Sequence, residues 1–333
     1  MTPRIGWIET SATMYGGQIY NQKSRTLLSE FADVELVMAG ATRFTGNKLL
    51  GTAETLSNLA RLKGHKDIWM RGFYPTVTMP YDRTTGKNIV MLLHDDFSGF
   101  SWSRRLFFEP LNLLFHRNLR KADMIITISE FWRRHVEALG HRNVRIVYNT
   151  FDLNDFNISE DELRAFRRRH ELGDGPIIYL GNCQKAKGAV DSYTALKNIG
   201  AKLVTSGKRL AEIPTTNLDL SYREYLCLLK ASTIVVTMSQ FLEGWCRTAH
   251  EAMLCGRPVI GSGKGGMEEL LAGGAQIICP RFEELHAHVD ALLRNPARAD
   301  ELGRCGRDFA AQFTDERAAR AWRDLVKELV PTS

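Results

Sequence analysis

The chain has 333 residues, of which 44% are hydrophobic and 25% are charged, values typical of a folded protein of about two domains. No apolar run reaches the roughly eighteen residues of a membrane-spanning helix, and the N-terminus lacks the basic region and apolar core of a signal peptide. A formal charge of +6 favours anionic partners, namely nucleotide phosphates, an anionic membrane surface or nucleic acid, without choosing among them.

The first elements follow a strand, loop, helix, strand order. Alternation and β-branched content predict strands over 5–9 and 34–39, with a glycine pair, Gly16 and Gly17, in the loop after the first strand. The spacing does not match G-x-G-x-x-G, so the dinucleotide fingerprint is absent. A tight turn and a close approach to a ligand explain such a pair about equally well.

A further strand is predicted over 88–93, followed by His94, Asp95 and Asp96. A side chain at the carboxyl end of a strand points towards the ligand crevice of an open α/β sheet, although a packing histidine is the commoner case. Two adjacent aspartates with no third ligand in view are poor evidence for a metal site, so none is expected.

Residues 102–145 form the most basic stretch, with nine Lys/Arg and four Asp/Glu, which gives +5 by subtraction. Bases alternate with large apolar residues there. One interpretation is an amphipathic surface that contacts an anionic membrane. The other, slightly favoured because Pro110 interrupts the pattern, is a helix that packs on the sheet with solvated arginines.

The second half opens with a strand over 177–180. A loop from Gly181 to Gly188 then leads to a helix near Ala189. A strand, loop and helix N-terminus form an anion site, because free amides and the helix dipole face the ligand. Lys185 and Lys187 in this loop could add positive charge, although an isolated loop lysine is more often a solvated one.

The stretch 233–271 reads strand, loop, helix, strand, glycine-rich loop, helix, the pattern of a sheet that binds ligands at its strand ends. Two carboxylates stand out in it, Glu243 in the first loop and Glu251 in the helix. Both can face one crevice. In the alternative interpretation Glu251 pairs only with Arg247, four residues earlier on the helix, and Glu243 is solvated.

At these residues the chain resembles the retaining glycosyltransferases of family four. The signature is carried by Glu243-Gly244-Trp245, Glu251-Ala252-Met253, Gly256, Pro258-Val259-Ile260, Gly265-Gly266 and Glu269. Weaker matches lie at Ser129-Glu130, Asn149, Asp152 and Phe156, with Thr150 in place of the usual glycine.

The resemblance implies α/β architecture with two Rossmann-like domains facing a cleft, the GT-B fold. It places an acceptor-binding domain at 1–157 and a donor-binding domain at 158–314. The C-terminal helix, 315–333, would cross back onto the first domain.

The resemblance also implies site roles. Glu243 lies against the donor sugar, Glu251 hydrogen-bonds the donor's ribose, and the amides of Gly244, Trp245, Cys246 and Arg247 hold the sugar. His94 lies near the sugar, and Gly16 and Gly17 face the cleft. Lys187 binds the pyrophosphate, but Asn182 stands where the family has an arginine, so Lys185 or Arg247 would supply the second charge.

Together these features predict metal-independent transfer of a hexose, with no cofactor, from GDP-mannose or a UDP-sugar to a glycan or lipid-linked acceptor. Six cysteines without zinc spacing predict reduced thiols and a cytoplasmic protein, peripheral to the inner face of a membrane if 102–145 binds lipid. No RNA-binding signature is present, so nucleic acid is not expected as a partner. Two alternatives stay open: a nucleotide-sugar epimerase of the same architecture, and a non-catalytic basic binding protein.

Overall fold

The computed structural model describes residues 2–11, 16–95 and 102–330, with the backbone alone for 102–105. The described chain divides into two compact units. The first comprises 1–150 with 315–333, and the second comprises 151–314. The division therefore falls at 150/151, where the sequence placed it at 157/158.

The first unit is built on a parallel sheet of order β2-β1-β3-β4-β5-β6. Its strands are β1 Arg4–Glu9, β2 Asp33–Met38, β3 Lys63–Arg71, β4 Arg83–Met91, β5 Met124–Thr127 and β6 Val144–Ile146. Its helices are α1 Gly16–Leu28, α2 Lys48–Ala60, α3 Phe73–Thr78, α4 Trp102–Leu119, α5 Glu130–Ala138 and α13 Asp315–Leu329.

The second unit carries a parallel sheet of order β12-β11-β10-β7-β8-β9. Its strands are β7 Ile177–Asn182, β8 Lys202–Ser206, β9 Thr216–Leu218, β10 Ile234–Thr237, β11 Val259–Gly261 and β12 Ile277–Ile278. Its helices are α6 Glu160–Arg169, α7 Ala189–Leu196, α8 Tyr222–Ala231, α9 Arg247–Leu254, α10 Gly266–Gly273, α11 Phe282–Arg294 and α12 Pro296–Ala310.

Hydrophobic burial explains why the central strands of each sheet read as continuous apolar runs. Every residue of β5 and of β10 is buried, as expected for parallel strands covered by helices on both faces. The core of the second unit continues from the sheet onto α7, α11 and α12 through Leu196, Val289 and Leu302. These packed layers hold the strand ends, and hence the loops that follow them, in fixed positions.

Three expectations about local structure need correction. Gly16 and Gly17 lie in the first turn of α1 and not in a loop before it. Residues 63–71 form β3, where no strand was predicted, because only its second half is buried and its first half is polar. The strand predicted at 88–93 begins at Arg83 and ends at Met91, so His94 lies three residues beyond it.

The C-terminal helix α13 belongs to the first unit. It contacts α1 through an ion pair between Lys23 and Asp315, whose side-chain atoms are 2.5 Å apart, and Arg323 lies over the ring of Phe31. Trp322 is fully buried. The helix therefore packs as part of that unit, although in the sequence it follows the second one. No helix in the described part of the chain is long and apolar enough to cross a membrane.

Candidate active site

The candidate site lies at the carboxyl ends of β7 and β10. These two strands are neighbours, and the strands that follow them in the sequence, β8 and β11, lie on opposite sides of the pair. Such a reversal of strand order opens a crevice in which α/β sheets bind ligands. Lys187 lies in the loop after β7, and Glu243 lies in the loop after β10.

Lys187 and Glu243, two predicted site residues, form an ion pair. The Nζ of Lys187 lies 2.7 Å from Oε1 of Glu243, and the hydroxyl of Ser239 donates to the same oxygen. The ammonium also lies 4.7 Å from the centre of the Phe241 ring. Burial, the largest single effect, lowers the pKa of Lys187, but Glu243 and the nearby Cys246 sulfur together outweigh it and raise the pKa. Lys187 is therefore a fixed positive charge that Glu243 partly neutralises.

Backbone contacts dock the turn that carries Lys187 onto the loop after β10. Gly188 has φ +75°, and a Cβ there would lie 2.0 Å from the carbonyl oxygen of Met238. The Gln240 N–H donates to the carbonyl of Ala186 over 2.9 Å. Only glycine permits both this conformation and this approach, so Gly188 sets the distance between the two loops.

The glycine pair of the signature positions the backbone of Glu243. The Glu243 N–H donates to the carbonyl of Lys264, and the Gly266 N–H donates to the carbonyl of Glu243. Gly265 has φ +67°, and a Cβ there would lie 2.4 Å from the Glu243 carbonyl oxygen. The glycine-rich turn before α10 thus holds Glu243 by its main chain.

The loop between Glu243 and α9 is anchored by a buried aromatic contact. Trp245 Nε1–H donates to His250 Nδ1 over 2.9 Å, and Nε2 of the histidine lies 3.1 Å from the carbonyl oxygen of Ala310. Because indole nitrogen can only donate, the histidine proton must be on Nε2, which donates to that carbonyl. Burial lowers the pKa of His250 to about 3, so the ring is neutral.

Cys246 is the N-cap of α9 and has φ 66°, a left-handed conformation unusual for a residue with a side chain. Its thiol is buried, and burial raises the pKa of Cys246 to about 12. This left-handed residue comes directly before Arg247, where α9 begins. Strained backbone of this kind clusters at ligand sites.

Glu251 is buried on α9 among three donors. Arg247 Nη2 lies 2.9 Å from Oε1, the Tyr222 hydroxyl lies 3.5 Å from Oε1, and the Tyr225 hydroxyl lies 3.1 Å from Oε2. The Arg247 guanidinium stacks 4.5 Å over the ring of Phe151. Burial raises the pKa of Glu251, and the three donors oppose that rise. The Arg247 pair considered in the sequence therefore exists, within a larger cluster.

Sequence reasoning missed the two tyrosines. A signal for them was present, since Ser221 and Glu224 form a capping box that starts α8. With the helix start fixed, Tyr222 and Tyr225 fall three residues apart on one face. The sequence does not show that this face contacts Glu251, because β10 lies between α8 and α9 along the chain.

Asn182 ends β7 and is exposed, and its Oδ1 lies 3.4 Å from the Ser206 hydroxyl. The side-chain carbonyl is thus held towards β8, which leaves a neutral amide in place of the family's arginine. Lys185 opens the short 3-10 turn that Lys187 closes, and it is exposed. The structure brings Lys187, Glu243 and the 244–247 loop together and leaves Lys185 at the rim.

Three predicted residues lie in the first unit. Gly16 and Gly17 begin α1, and His94 is exposed. Asp96 lies outside the described residues. Asp95 contacts two histidines, with Oδ2 2.9 Å from His116 Nε2 and 3.7 Å from His135 Nε2. The sequence did not indicate this triad, because α4 and α5 bring its histidines in from distant positions.

Among the described residues, one group could offer three ligands to a metal ion, formed by Cys279, Glu284 and His288. The Arg281 guanidinium already pairs with Glu284, and the Cys279 thiol donates to the Arg281 carbonyl over 3.1 Å. A positive side chain beside the carboxylate disfavours a cation there. The group follows β12, at the edge of the sheet and away from the β7 and β10 ends.

Comparisons with known proteins find a similar sequence family and a similar fold. The family model described as glycosyl transferases group 1 matches residues 164–309. An uncharacterized glycosyltransferase of Methanocaldococcus jannaschii is 22% identical over 224 residues. That match covers 62% of this chain and 60% of the relative's length.

Solved structures share the fold over the whole chain. HepE of Anabaena in complex with UDP-glucose has a TM-score of 0.74 and 17% identity, covering 98% of this chain and 100% of HepE. Sucrose-phosphate synthase of Thermosynechococcus elongatus has a TM-score of 0.79 and 18% identity, covering 99% and 100%. WaaG, a glycosyltransferase involved in lipopolysaccharide biosynthesis, has a TM-score of 0.70 and 11% identity, covering 98% and 100%.

These likenesses fit the two parallel six-stranded sheets and the signature residues around Glu243 and Glu251. Residues 164–309 match the glycosyl transferases group 1 family model, and the chain shares the GT-B fold with glycosyltransferases of known structure.

Proposed function

We propose that the chain transfers a hexose, with retention of anomeric configuration, from a nucleotide-diphosphate sugar to a glycan or lipid-linked acceptor. One observation carries the proposal: Lys187 and Glu243 meet at the switch point between β7 and β10, with the Glu251 cluster on the adjoining helix. A cation suits the diphosphate, and carboxylates suit sugar hydroxyls. The second unit would bind the donor, and the first would bind the acceptor.

The reaction breaks the bond between the anomeric carbon and the diphosphate oxygen while negative charge grows on the leaving group. The Lys187 ammonium stabilises that charge, and amides of the 244–247 loop hold the sugar. Attack comes from the face the diphosphate leaves, so the acceptor oxygen bonds to the anomeric carbon and its proton passes to the leaving phosphate. Glu243 orients the sugar, and no metal ion or other cofactor takes part.

The donor is a UDP-sugar or GDP-mannose. HepE, which shares the fold, was solved with UDP-glucose, which supports the first choice. The test is a screen of UDP-, GDP- and ADP-sugars for release of nucleoside diphosphate, with and without excess EDTA. We expect one donor to be hydrolysed at the same rate with and without EDTA. The released sugar should keep the anomeric configuration that it had in the donor. An epimerised sugar, or activity that needs added Mg²⁺ or Mn²⁺, would contradict the proposal.

The acceptor-side unit carries a feature that favours a lipid-linked acceptor. On α4, Leu106 and Leu113 are 59% and 73% exposed, while Arg117 lies one turn further along the same face. Exposed leucines beside bases suit the interface of an anionic membrane. We therefore propose a cytoplasmic protein that is peripheral at a membrane. Liposome co-sedimentation should favour anionic over neutral vesicles and weaken in Leu113→Ser. Equal binding to both vesicle types, or to neither, would overturn the membrane contact.

A further inference from the structure

The Glu251 carboxylate has an uneven set of hydrogen bonds. Oε1 accepts from both Arg247 and Tyr222, whereas among the described residues Oε2 accepts from Tyr225 alone. A carboxylate oxygen accepts two such bonds, so one position on Oε2 is open. A ligand with two adjacent hydroxyls can use both oxygens only if one of the present donors gives way.

The three donors differ in how firmly they are held. Arg247 makes the shortest contact, at 2.9 Å, and stacks on Phe151. Tyr225 lies one turn into α8 and is half-buried. Tyr222 is the first residue of α8, is 46% exposed and makes the longest contact, at 3.5 Å, the weakest geometry of the three. Tyr222 is therefore the donor whose hydrogen bond a ligand hydroxyl can most easily replace.

We propose that Tyr222 is a nucleoside-recognition residue, whose hydroxyl cedes Oε1 of Glu251 to a ribose hydroxyl and whose exposed ring then packs against the nucleoside. The neighbouring ribose hydroxyl takes the open position on Oε2. This inference rests on the proposed function, since it assumes a nucleoside diphosphate in the site. It assigns separate roles to the ring and the hydroxyl: the ring contributes contact area, and the hydroxyl competes with the ligand.

The two roles predict opposite effects of two substitutions. Tyr222→Phe keeps the ring and removes the hydroxyl that competes with the ribose. This variant should bind the nucleoside diphosphate as tightly as the wild type, or up to about threefold more tightly. Tyr222→Ala removes the ring as well and should weaken binding by about tenfold. Tyr81, 66% exposed in the first unit, gives matched controls, and Tyr81→Phe and Tyr81→Ala should bind as the wild type does.

Calorimetric titration of the full chain with UDP, GDP and ADP, and then with the 2′,3′-dideoxy form of the one that binds, tests this. The dideoxy form should bind at least about tenfold more weakly to the wild type, and Tyr222→Phe should not improve its binding, because it has no hydroxyl to compete. Equal affinities of Tyr222→Ala and the wild type, or equal weakening in the Phe and Ala variants, would overturn the inference while the proposed function stands. Failure of the wild type to bind any of the three would overturn both.

Discussion

The Nζ of Lys187 lies 2.7 Å from Oε1 of Glu243, so two side chains 56 positions apart in the sequence share one ion pair at the switch point of the second sheet. The pair joins the residue expected to hold the donor's diphosphate to the residue expected to contact its sugar. A ligand whose phosphate reaches Lys187 must therefore compete with Glu243 or share the ammonium with it.

The charge around the diphosphate leads to the first prediction. Asn182 offers only a neutral amide, so Lys185 is expected to move in from the rim and supply the second charge. Lys187→Ala and Lys185→Ala should each lower turnover at least about tenfold, or roughly 1.4 kcal/mol of transition-state stabilisation. Steady-state kinetics with the donor found in the screen measures this. Wild-type rates for Lys185→Ala would show that it does not compensate for Asn182, and Arg247 would be tested next.

A second prediction concerns Glu251. Glu251→Gln keeps the shape but loses the charge that its hydrogen-bond donors share. Nucleoside diphosphate affinity should fall by roughly 1.5–3 kcal/mol, the range for a hydrogen bond to a charged group. Calorimetry measures the affinity, and thermal unfolding checks that the variant is folded. An unchanged affinity in a folded variant would show that this carboxylate does not contact the ligand.

The third prediction isolates the contact between Gly265 and Glu243. Gly265→Ala places a Cβ 2.4 Å from the Glu243 carbonyl oxygen at φ +67°. Gly256 has nearly the same φ, +69°, with nothing within 4 Å of its added Cβ. Gly256→Ala should therefore lower the free energy of unfolding by about 1–2 kcal/mol, because of the left-handed conformation alone. Gly265→Ala should lower it clearly more, and should also lower turnover. Denaturant unfolding of both variants tests this, and equal costs would refute the clash.

The fourth prediction concerns pH and His250. Its pKa is about 3 in the folded chain and near 6.5 when unfolded, so the unfolded state binds the proton first as pH falls. The contribution of the neutral His250 ring to the free energy of unfolding is present above pH 6.5. It declines by up to about 1.4 kcal/mol per pH unit from there towards pH 3. Between pH 6.5 and 5, the free energy of unfolding should fall by about 2 kcal/mol more in the wild type than in His250→Gln, as measured by urea unfolding. Equal losses of unfolding free energy in the wild type and His250→Gln would contradict a neutral buried ring.

Much of the second unit could be predicted from its sequence, because apolar strands and glycine or proline signals mark its elements. The sequence predicts helices over 248–254 and from 267 onward, and α9 and α10 each begin within one residue of these starts. The family signature that the chain resembles also singled out Glu243 and Glu251. Apart from Arg247, their partners could not be predicted. Ser239 reaches Glu243 through the fold of the loop, and Tyr222 and Tyr225 reach Glu251 through tertiary packing.

The first unit was harder to predict. In β3 and β4 only the last residues are buried, and the polar first halves pair with each other at the edge of the core, so neither alternation nor an apolar run marks them. The contact of Asp95 with His116 and His135 depends on where α4 and α5 pack. Sequence periodicity gives the buried face of a helix but not the residue it meets.

The most direct test of the account measures nucleoside diphosphate binding by calorimetry in the wild type, Lys187→Met and Glu243→Gln. If the ion pair lies in the donor site, Lys187→Met should weaken binding at least about tenfold. Glu243→Gln should bind as tightly as the wild type or more tightly, because it frees the ammonium for the phosphates, while its sugar transfer falls. Absence of binding in the wild type, or equal affinity in all three proteins, would contradict the assignment of this pair to the donor site.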